Sequence, residues 1–293
     1  MRTSEPGQLP VPGHQAVLVD QVQPAVAPRP VSRNGRRALS QLSSFDWAAR
    51  SIAIVALLAV WQVMSLLLPA GFMPAPITTF SRVARLVADG EFARNAIPTV
   101  LRVFSGFALA LLSGTLVGMA MGARRGLESL FEFYILIGLT IPGLAWAILA
   151  LMWFGITEIA PVFAVFAVVT PMLAVNMWQG TKALDHQLLE MARAFHVPRR
   201  QVISEVVLPQ LLPYVLAASR FGFALGWKVV VLSEMFGLSS GIGYELNRSF
   251  SNYSLRDVLA WTISFTLIMF VFEYGVLRPL EGRLLRWRPV VTI

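Results

Sequence analysis

The sequence contains no cysteine, which removes disulfides, thiolate chemistry and cysteine-based metal sites and leaves the redox compartment undetermined. Charge is also scarce. Only 14% of the 293 residues are Asp, Glu, Lys or Arg, whereas 56% are hydrophobic and the mean hydropathy is +0.65. Soluble domains carry roughly 25% charged residues, so a soluble globular class is excluded and a polytopic membrane protein is expected. The histidines number three. His14, His186 and His196 show no metal-ligand pairing, and no metal site is expected. No GxxxxGK[ST] phosphate loop occurs, so any ATP hydrolysis belongs to another subunit and this chain is not expected to be an enzyme or to hold a cofactor. Residues 1–44 lack an apolar run and scatter Pro6, Pro10, Pro12, Pro24, Pro28 and Pro30 among Gln, Ser and Gly, which reads as a disordered tail rather than a signal peptide.

What the chain has instead is long apolar runs. Six of them, about Ala48 to Leu68, Val103 to Met121, Phe131 to Phe154, Ile159 to Trp178, Tyr214 to Leu232 and Val258 to Leu277, are each long enough to cross ~30 Å of hydrocarbon. The expected fold is therefore all-α with six transmembrane helices. An even number of spans puts both termini on one side. Arg33, Arg36, Arg37, Arg50, Arg124, Arg125, Lys182, Arg193, Arg199, Arg200, Arg278, Arg283, Arg286 and Arg288 share that side, against Arg82, Arg85, Arg94, Arg102, Arg248 and Arg256 on the other. The positive-inside rule makes the richer side cytoplasmic. Membrane orientation then accounts for most of the net charge of +8, and no nucleic-acid partner is needed.

Between the first two runs, Pro74 to Pro98 reads as an external surface helix with Phe80, Val83, Ala84 and Val87 on one face. In the second run Gly106, Ala110, Gly114, Gly118 and Gly122 recur every four residues, and Gly222 and Gly226 repeat the device in the fifth. Small-residue ridges admit a second helix at close range, either within the chain or from a second copy. Pro142, followed by Gly143, must kink or unwind the third run.

Charges inside or at the edges of the last two spans are Arg220, Lys228, Glu234 and Glu273. Each costs roughly 2.5 to 3.5 kcal/mol if unpaired at the bilayer centre. Lys228 and Glu234 lie about 240° apart around a continuous helix and cannot pair directly. Two readings stand: both line or gate the outer half of a pathway, or Lys228 snorkels and Glu234 caps structure at the surface. Glu273 is expected to pair with Arg278 or a neighbouring helix, and Arg220 to brace the loop before its span. The Gly-rich run Gly237 to Gly243 follows a helix end, where flexible turns are ordinary.

The polar island Glu190 to Pro213, EMARAFHVPRRQVISEVVLPQLLP, separates two spans. Leu188, Met191, Ala192 and Phe195 share a helical face that wants an apolar groove. His196 to Pro198 breaks the chain, and a second short helix is expected to run to Leu208, ended by Pro209 and Pro213.

At these residues the chain resembles the permease subunits of bacterial ATP-binding cassette importers, whose cytoplasmic loop carries Glu-Ala-Ala, a Gly four residues later and a downstream Leu-Pro. Glu190 and Ala192 occupy the first and third positions, with Leu208 and Pro209 as the closing pair. Met191 replaces the middle Ala and His196 the Gly, a position that implies a left-handed backbone. TIPGLAWAILALMWFGI, GWKVVVLSEMFGLSSGIGY and RPLEGRLLRWRP resemble the nitrate, sulfonate and taurine branch, so the resemblance covers about Phe45 to Pro289.

The resemblance implies a type I importer fold in a bacterial inner membrane. Residues 1–44 form the tail, 45–92 the first span and external segment, 93–277 the transmembrane domain with a coupling loop over 181–213, and 278–293 a basic cytoplasmic tail. Its implied partners are a second permease copy, two ATPase subunits that hold the ATP and Mg, an external solute-binding protein and the lipid bilayer. Sulfonates, taurine or nitrate are the implied solutes; vitamin precursors and aromatic acids are carried by some relatives. An ion-coupled carrier would show paired interrupted helices in repeated halves, and a membrane enzyme clustered catalytic groups.

Overall fold

The computed structural model describes residues 33–69 and 72–285, and every described element is helical. The expected tail falls outside these residues up to residue 32. Helix α1 (Arg33–Leu67) already runs from Arg33, earlier than the boundary at residue 44 expected for the tail. The chain divides after Leu57 into two units. The first contributes the opening part of α1. In the second, the Trp61 indole donates to the Pro74 carbonyl at 3.1 Å and lies against Phe80.

Helix α2 (Pro76–Ala88) opens on a proline whose missing N–H is no loss in a first turn. The expected surface helix thus forms; Thr79, Val83 and Leu86 turn to the protein, while Phe80 and Val87 are exposed. Leu86 joins Ile242, Ala260 and Trp261 in a small core, and this tertiary contact outweighs the local apolar pattern. Gly90 turns the chain into α3 (Glu91–Ala123), a 33-residue helix that carries Pro98 within it.

The centre of the second unit is α6 (Ile159–Lys182). The α3 ridge packs on it at constant register: Gly106 meets Val165, Gly114 meets Leu173, Gly118 meets Met177 and Gly122 meets Thr181. Both residue numbers rise together, so α3 and α6 run parallel. From the other side Gly226 meets Val165 and Gly222 meets Val169, with numbers that run oppositely, so the long helix bearing them is antiparallel to α6. A Cβ at Gly106 would lie 2.6 Å from the Val165 Cβ. Both glycine ridges are therefore internal packing surfaces.

Parallel α3 and α6 require the chain between them to recross the layer. It does so as α4 (Arg125–Thr140) and α5 (Gly143–Phe154), bent by 99° at the Ile141–Pro142 break. One span from Phe131 to Phe154 is thus corrected to two helices at a steep angle. Pro142 has no N–H to donate and would clash with the preceding turn, and Ile141 before it is extended at ψ 124°.

After α7 (His186–Ala194), the chain forms α8 (Arg199–Gln201), a π-helical segment (Val202–Val207) and α9 (Leu208–Gly237). They run as one 39-residue helix. The expected stop at Pro209 and Pro213 does not occur. In the π turn the Leu208 N–H reaches back five residues to the Ile203 carbonyl, Pro209 follows it directly, and Pro213 lies within the continuing α9. Helix α10 (Ile242–Ser251) follows, then α11 (Leu255–Phe272), a second π segment (Glu273–Leu277) and α12 (Arg278–Leu284). Among the described residues four helices are long and apolar enough to span a membrane; the bent pair makes a fifth, and Ser51–Leu67 is a shorter apolar helix. These match the six expected runs.

Candidate functional site

Two polar regions stand at opposite ends of this helical layer. At the end reached by α6, the side chain of Asp185 caps α7, accepting from the Gln187 and Leu188 N–H groups at 2.8 and 3.3 Å. Asp185 N–H in turn donates to the Gln210 side chain at 2.9 Å, which ties the start of α7 to α9. The helix ends in a Schellman turn: Val197 N–H donates to the Ala192 carbonyl and His196 N–H to that of Arg193. His196 is left-handed, with φ of 53°. The family position read as a glycine site does have the backbone that favours glycine.

Ala192 is buried beneath α7, so it leaves the strip expected for it. Leu188, Met191 and Phe195, spaced three and four apart, form that strip and are all exposed, Phe195 by 77%. Glu190 is exposed on another face of α7, with no bonded side chain among the described residues. Leu208 and Pro209 lie one helix further on and line a cavity of about 350 Å³ with Met119, Met177 and Leu211. Lys182 reaches Glu128 at 2.6 Å and steadies α4 against α6 at this end.

The opposite end holds a cluster that the sequence reading missed. Arg102, counted as an external arginine, is only 3% exposed. Its guanidinium forms a bidentate pair with Glu158, both contacts 2.6 Å, and a 2.7 Å bond to Glu234. The Ser240 carbonyl and hydroxyl each accept at 2.9 Å, so all five N–H donors are used. Glu234 is fully buried. Thr99 Oγ1 donates to its carboxylate and accepts from Ile242 N–H, and Gly243 N–H donates to Oε2 at 2.9 Å. Gly241, at φ 111°, gives its N–H to the Asn95 side chain, and a Cβ there would lie 2.3 Å from the Glu234 Cδ. The glycines after α9 thus let the chain fold over a carboxylate.

Glu158 is held below the usual carboxylate range because Arg102 donates to it. Beside this cluster, Arg82 of α2 pairs with Asp257 of α11 at 2.7 Å and is raised above its ordinary value mainly by that bond. Glu245 of α10 is pushed up by burial. A signal for the cluster existed: an arginine and a glutamate each embedded in an apolar run need partners, and the run after Glu234 is rich in glycine.

The remaining candidates separate. Glu273 pairs with Arg220 of α9 rather than with Arg278, which instead lies over the Tyr274 ring. Lys228 is exposed on α9, with no ion pair or hydrogen bond among the described residues. Pro142 sits at the α4–α5 break, and Gly143 beside it meets Val229.

Comparison with known proteins agrees with this geometry. The family described as binding-protein-dependent transport system inner membrane component matches residues 106–276. SsuC of Bacillus subtilis, named for aliphatic sulfonates transport, is 28% identical over 83% of this chain and 89% of its own length. The taurine transport system permease protein TauC of Escherichia coli is 26% identical over 80% of this chain and 87% of its own. The nitrate import permease protein NrtB of Synechococcus elongatus is 27% identical, covering 78% and 84%. Among solved structures, an inward-facing conformation of the MetNI methionine ABC transporter superposes at a TM-score of 0.56 and 15% identity, over 63% of this chain and 94% of that one. That likeness shows the fold.

Proposed function

Because the chain belongs to the family of binding-protein-dependent transport system inner membrane components, in the branch of the nitrate, sulfonate and taurine permeases, we propose that it forms the membrane pathway for a small anion and couples to separate ATPase subunits through α7. It is a multi-pass ABC importer permease and not an enzyme. What supports the coupling reading is one observation: the exposed strip Leu188, Met191 and Phe195 on α7, with the unpaired Glu190 exposed on the same short helix, projects from a helix that is capped at both ends. An apolar strip exposed on a rigid, polar loop is a surface made to be covered.

The loop end faces the cytoplasm with both termini, by the arginine asymmetry, and the Arg102 end faces outward. Two copies of the chain enclose the pathway, two ATPases hold ATP and Mg, and an external binding protein delivers solute. When the ATPases close, α7 moves as a lever. Its movement reaches the spans through the Asp185–Gln210 bond and the unbroken helix from Arg199. Access then switches between the two sides of the membrane. Sulfonates, taurine and nitrate are the solutes named for the relatives, and an anion of this kind is the proposed cargo.

The test is co-purification and uptake. Glu190→Ala lowers ATPase association about ten- to a hundred-fold if the carboxylate makes a charge-assisted contact of about 1.5 to 3 kcal/mol, and solute uptake falls with it. Unchanged association and uptake would remove the assigned role.

A further inference from the structure

Lys228 is the one charged side chain of α9 that the tertiary structure leaves without a bonded group among the described residues; Arg220 has Glu273, and Glu234 has Arg102. It stands nine residues, about 13 Å at 1.5 Å per residue, before the end of α9 at Gly237. That separation exceeds what its four methylenes can span, so the ammonium stays below the end of the helix. The other faces of α9 are occupied. Gly222 and Gly226 meet α6, Glu234 meets α3, Trp227 and Phe223 meet α11, and Val229 meets α5. Lys228 lies at the middle of the remaining face, with exposed Phe221 about two turns and Ala217 about three turns below it.

The level of Lys228 coincides with a second break in the regular structure. Gly143, the first residue of α5, packs on Val229, and Gly237 packs on Leu151, so α5 and α9 run parallel and in step. The 99° bend at Pro142 is therefore level with Lys228. Irregular backbone at membrane depth is tolerated where it borders a water-filled space or protein, not lipid.

We propose that Lys228 is the specificity-determining cation of the translocation pathway: it faces the water-filled route between the two permease copies and receives the anionic group of the solute part-way across the membrane. This rests on the importer reading above, and it assigns the opposite duty to Glu234. An unpaired ammonium in an apolar span is expensive in lipid, and an anion passing through relieves that cost transiently. The attraction is that of a point charge, so a sulfonate or nitrate fits without a bidentate geometry. Enclosed by Arg102, Glu234 presents no competing negative charge to the route.

The absence of cysteine makes the test direct. In the complete transporter, reconstituted in liposomes with its ATPases and binding protein, Lys228→Cys introduces a unique thiol on this chain. A membrane-impermeant anionic thiosulfonate reacts with it at least tenfold faster than with a cysteine at the exposed, outward-turned Leu112 of α3 if position 228 lines water. Equal, slow labelling at both positions would overturn the placement. Uptake of taurine, ethanesulfonate and nitrate is then compared across variants. Lys228→Met loses at least tenfold in uptake, Lys228→Arg retains it within about threefold, and ATP hydrolysis by the assembled complex persists in both. Wild-type uptake by Lys228→Met overturns the specificity role. Fast labelling at 228 with no uptake of any of the three anions by the unmodified complex rejects the anion reading while leaving the pathway position standing, so the two failures are told apart.

Discussion

Glu234 and Glu190 sit at opposite ends of the same helical layer and are handled in opposite ways. Glu234 has no exposed surface and accepts from Arg102, Thr99 and a backbone amide, while Glu190 is exposed and meets no bonded partner within the chain. The first arrangement ties α3, α9 and the loops at Glu158 and Ser240 into one unit. The second leaves a carboxylate and three apolar side chains on offer. A lever needs both: an end whose polar groups are saturated internally, and an end whose groups remain to be satisfied by another molecule. Helix α9 and its π-helical entry connect them without a stop.

The sharpest way to break this comparison is to unpair the enclosed end. Arg102→Ala leaves Glu234 buried without its counter-charge, which costs about 3 to 5 kcal/mol, read as a lower thermal midpoint of the purified chain. Arg102→Met with Glu234→Gln recovers most of that loss, since the uncompensated charge goes too. A single variant as stable as the parent would show that the cluster anchors nothing.

Gly241→Ala comes next. Its φ of 111° disfavours any L side chain, and the Cβ would collide with the Glu234 carboxylate. The expected loss is about 2 kcal/mol or more, checked by the same thermal measurement; an unchanged midpoint would mean that the loop does not close over Glu234 as described.

At the open end the sign reverses. His196→Gly relieves a left-handed backbone at a Schellman turn and stabilises the loop by up to about 1 kcal/mol, seen as slower amide hydrogen exchange over residues 186–197. Faster exchange would show that the imidazole contributes a contact of its own. Glu190→Ala, though it weakens ATPase association, changes the thermal midpoint by no more than about 0.5 kcal/mol equivalent.

The smallest effect belongs to pH. The folded-state pKa of Glu158 is depressed by Arg102, so its contribution is fully present above the unfolded value near 4.3. It is lost as pH falls through the lower folded value. Because Glu158 is 71% exposed, solvent screening keeps the effect small. Melting between pH 5 and 3 should be slightly steeper in the parent than in Glu158→Gln. Identical pH profiles would place Glu158 outside the anchor.

The spans, the glycine ridges and the Pro142 break were legible, since each is written in residues close together along the chain, and the left-handed turn at His196 was expected only because its position matches a glycine in the family that the loop resembles. Pro209 and Pro213 do not stop the helix, although propensity alone reads them as stops: Pro209 follows directly on a π turn, and Pro213 lies within the continuing helix. Which face of α2 turns inward was not legible, since Ile242 and Trp261, which choose the face, are more than 150 positions away. The burial of Arg102, counted only as an arginine of the outer side, was not legible for the same reason. Its partners Glu158 and Glu234 are separated from it by 56 and 132 residues.

By itself, then, the sequence determined an all-helical membrane protein of six apolar runs, the loop between the fourth and fifth, and the arginine asymmetry, because hydropathy and backbone preference act over a few residues at a time. Only the tertiary structure decided which glycine ridge meets which helix and that α3 and α6 run parallel. It alone showed that of two charges six residues apart one, Glu234, is enclosed while the other, Lys228, is left bare. Such outcomes depend on desolvation and pairing, and a charge is paired or not only when segments far apart in the chain have come together.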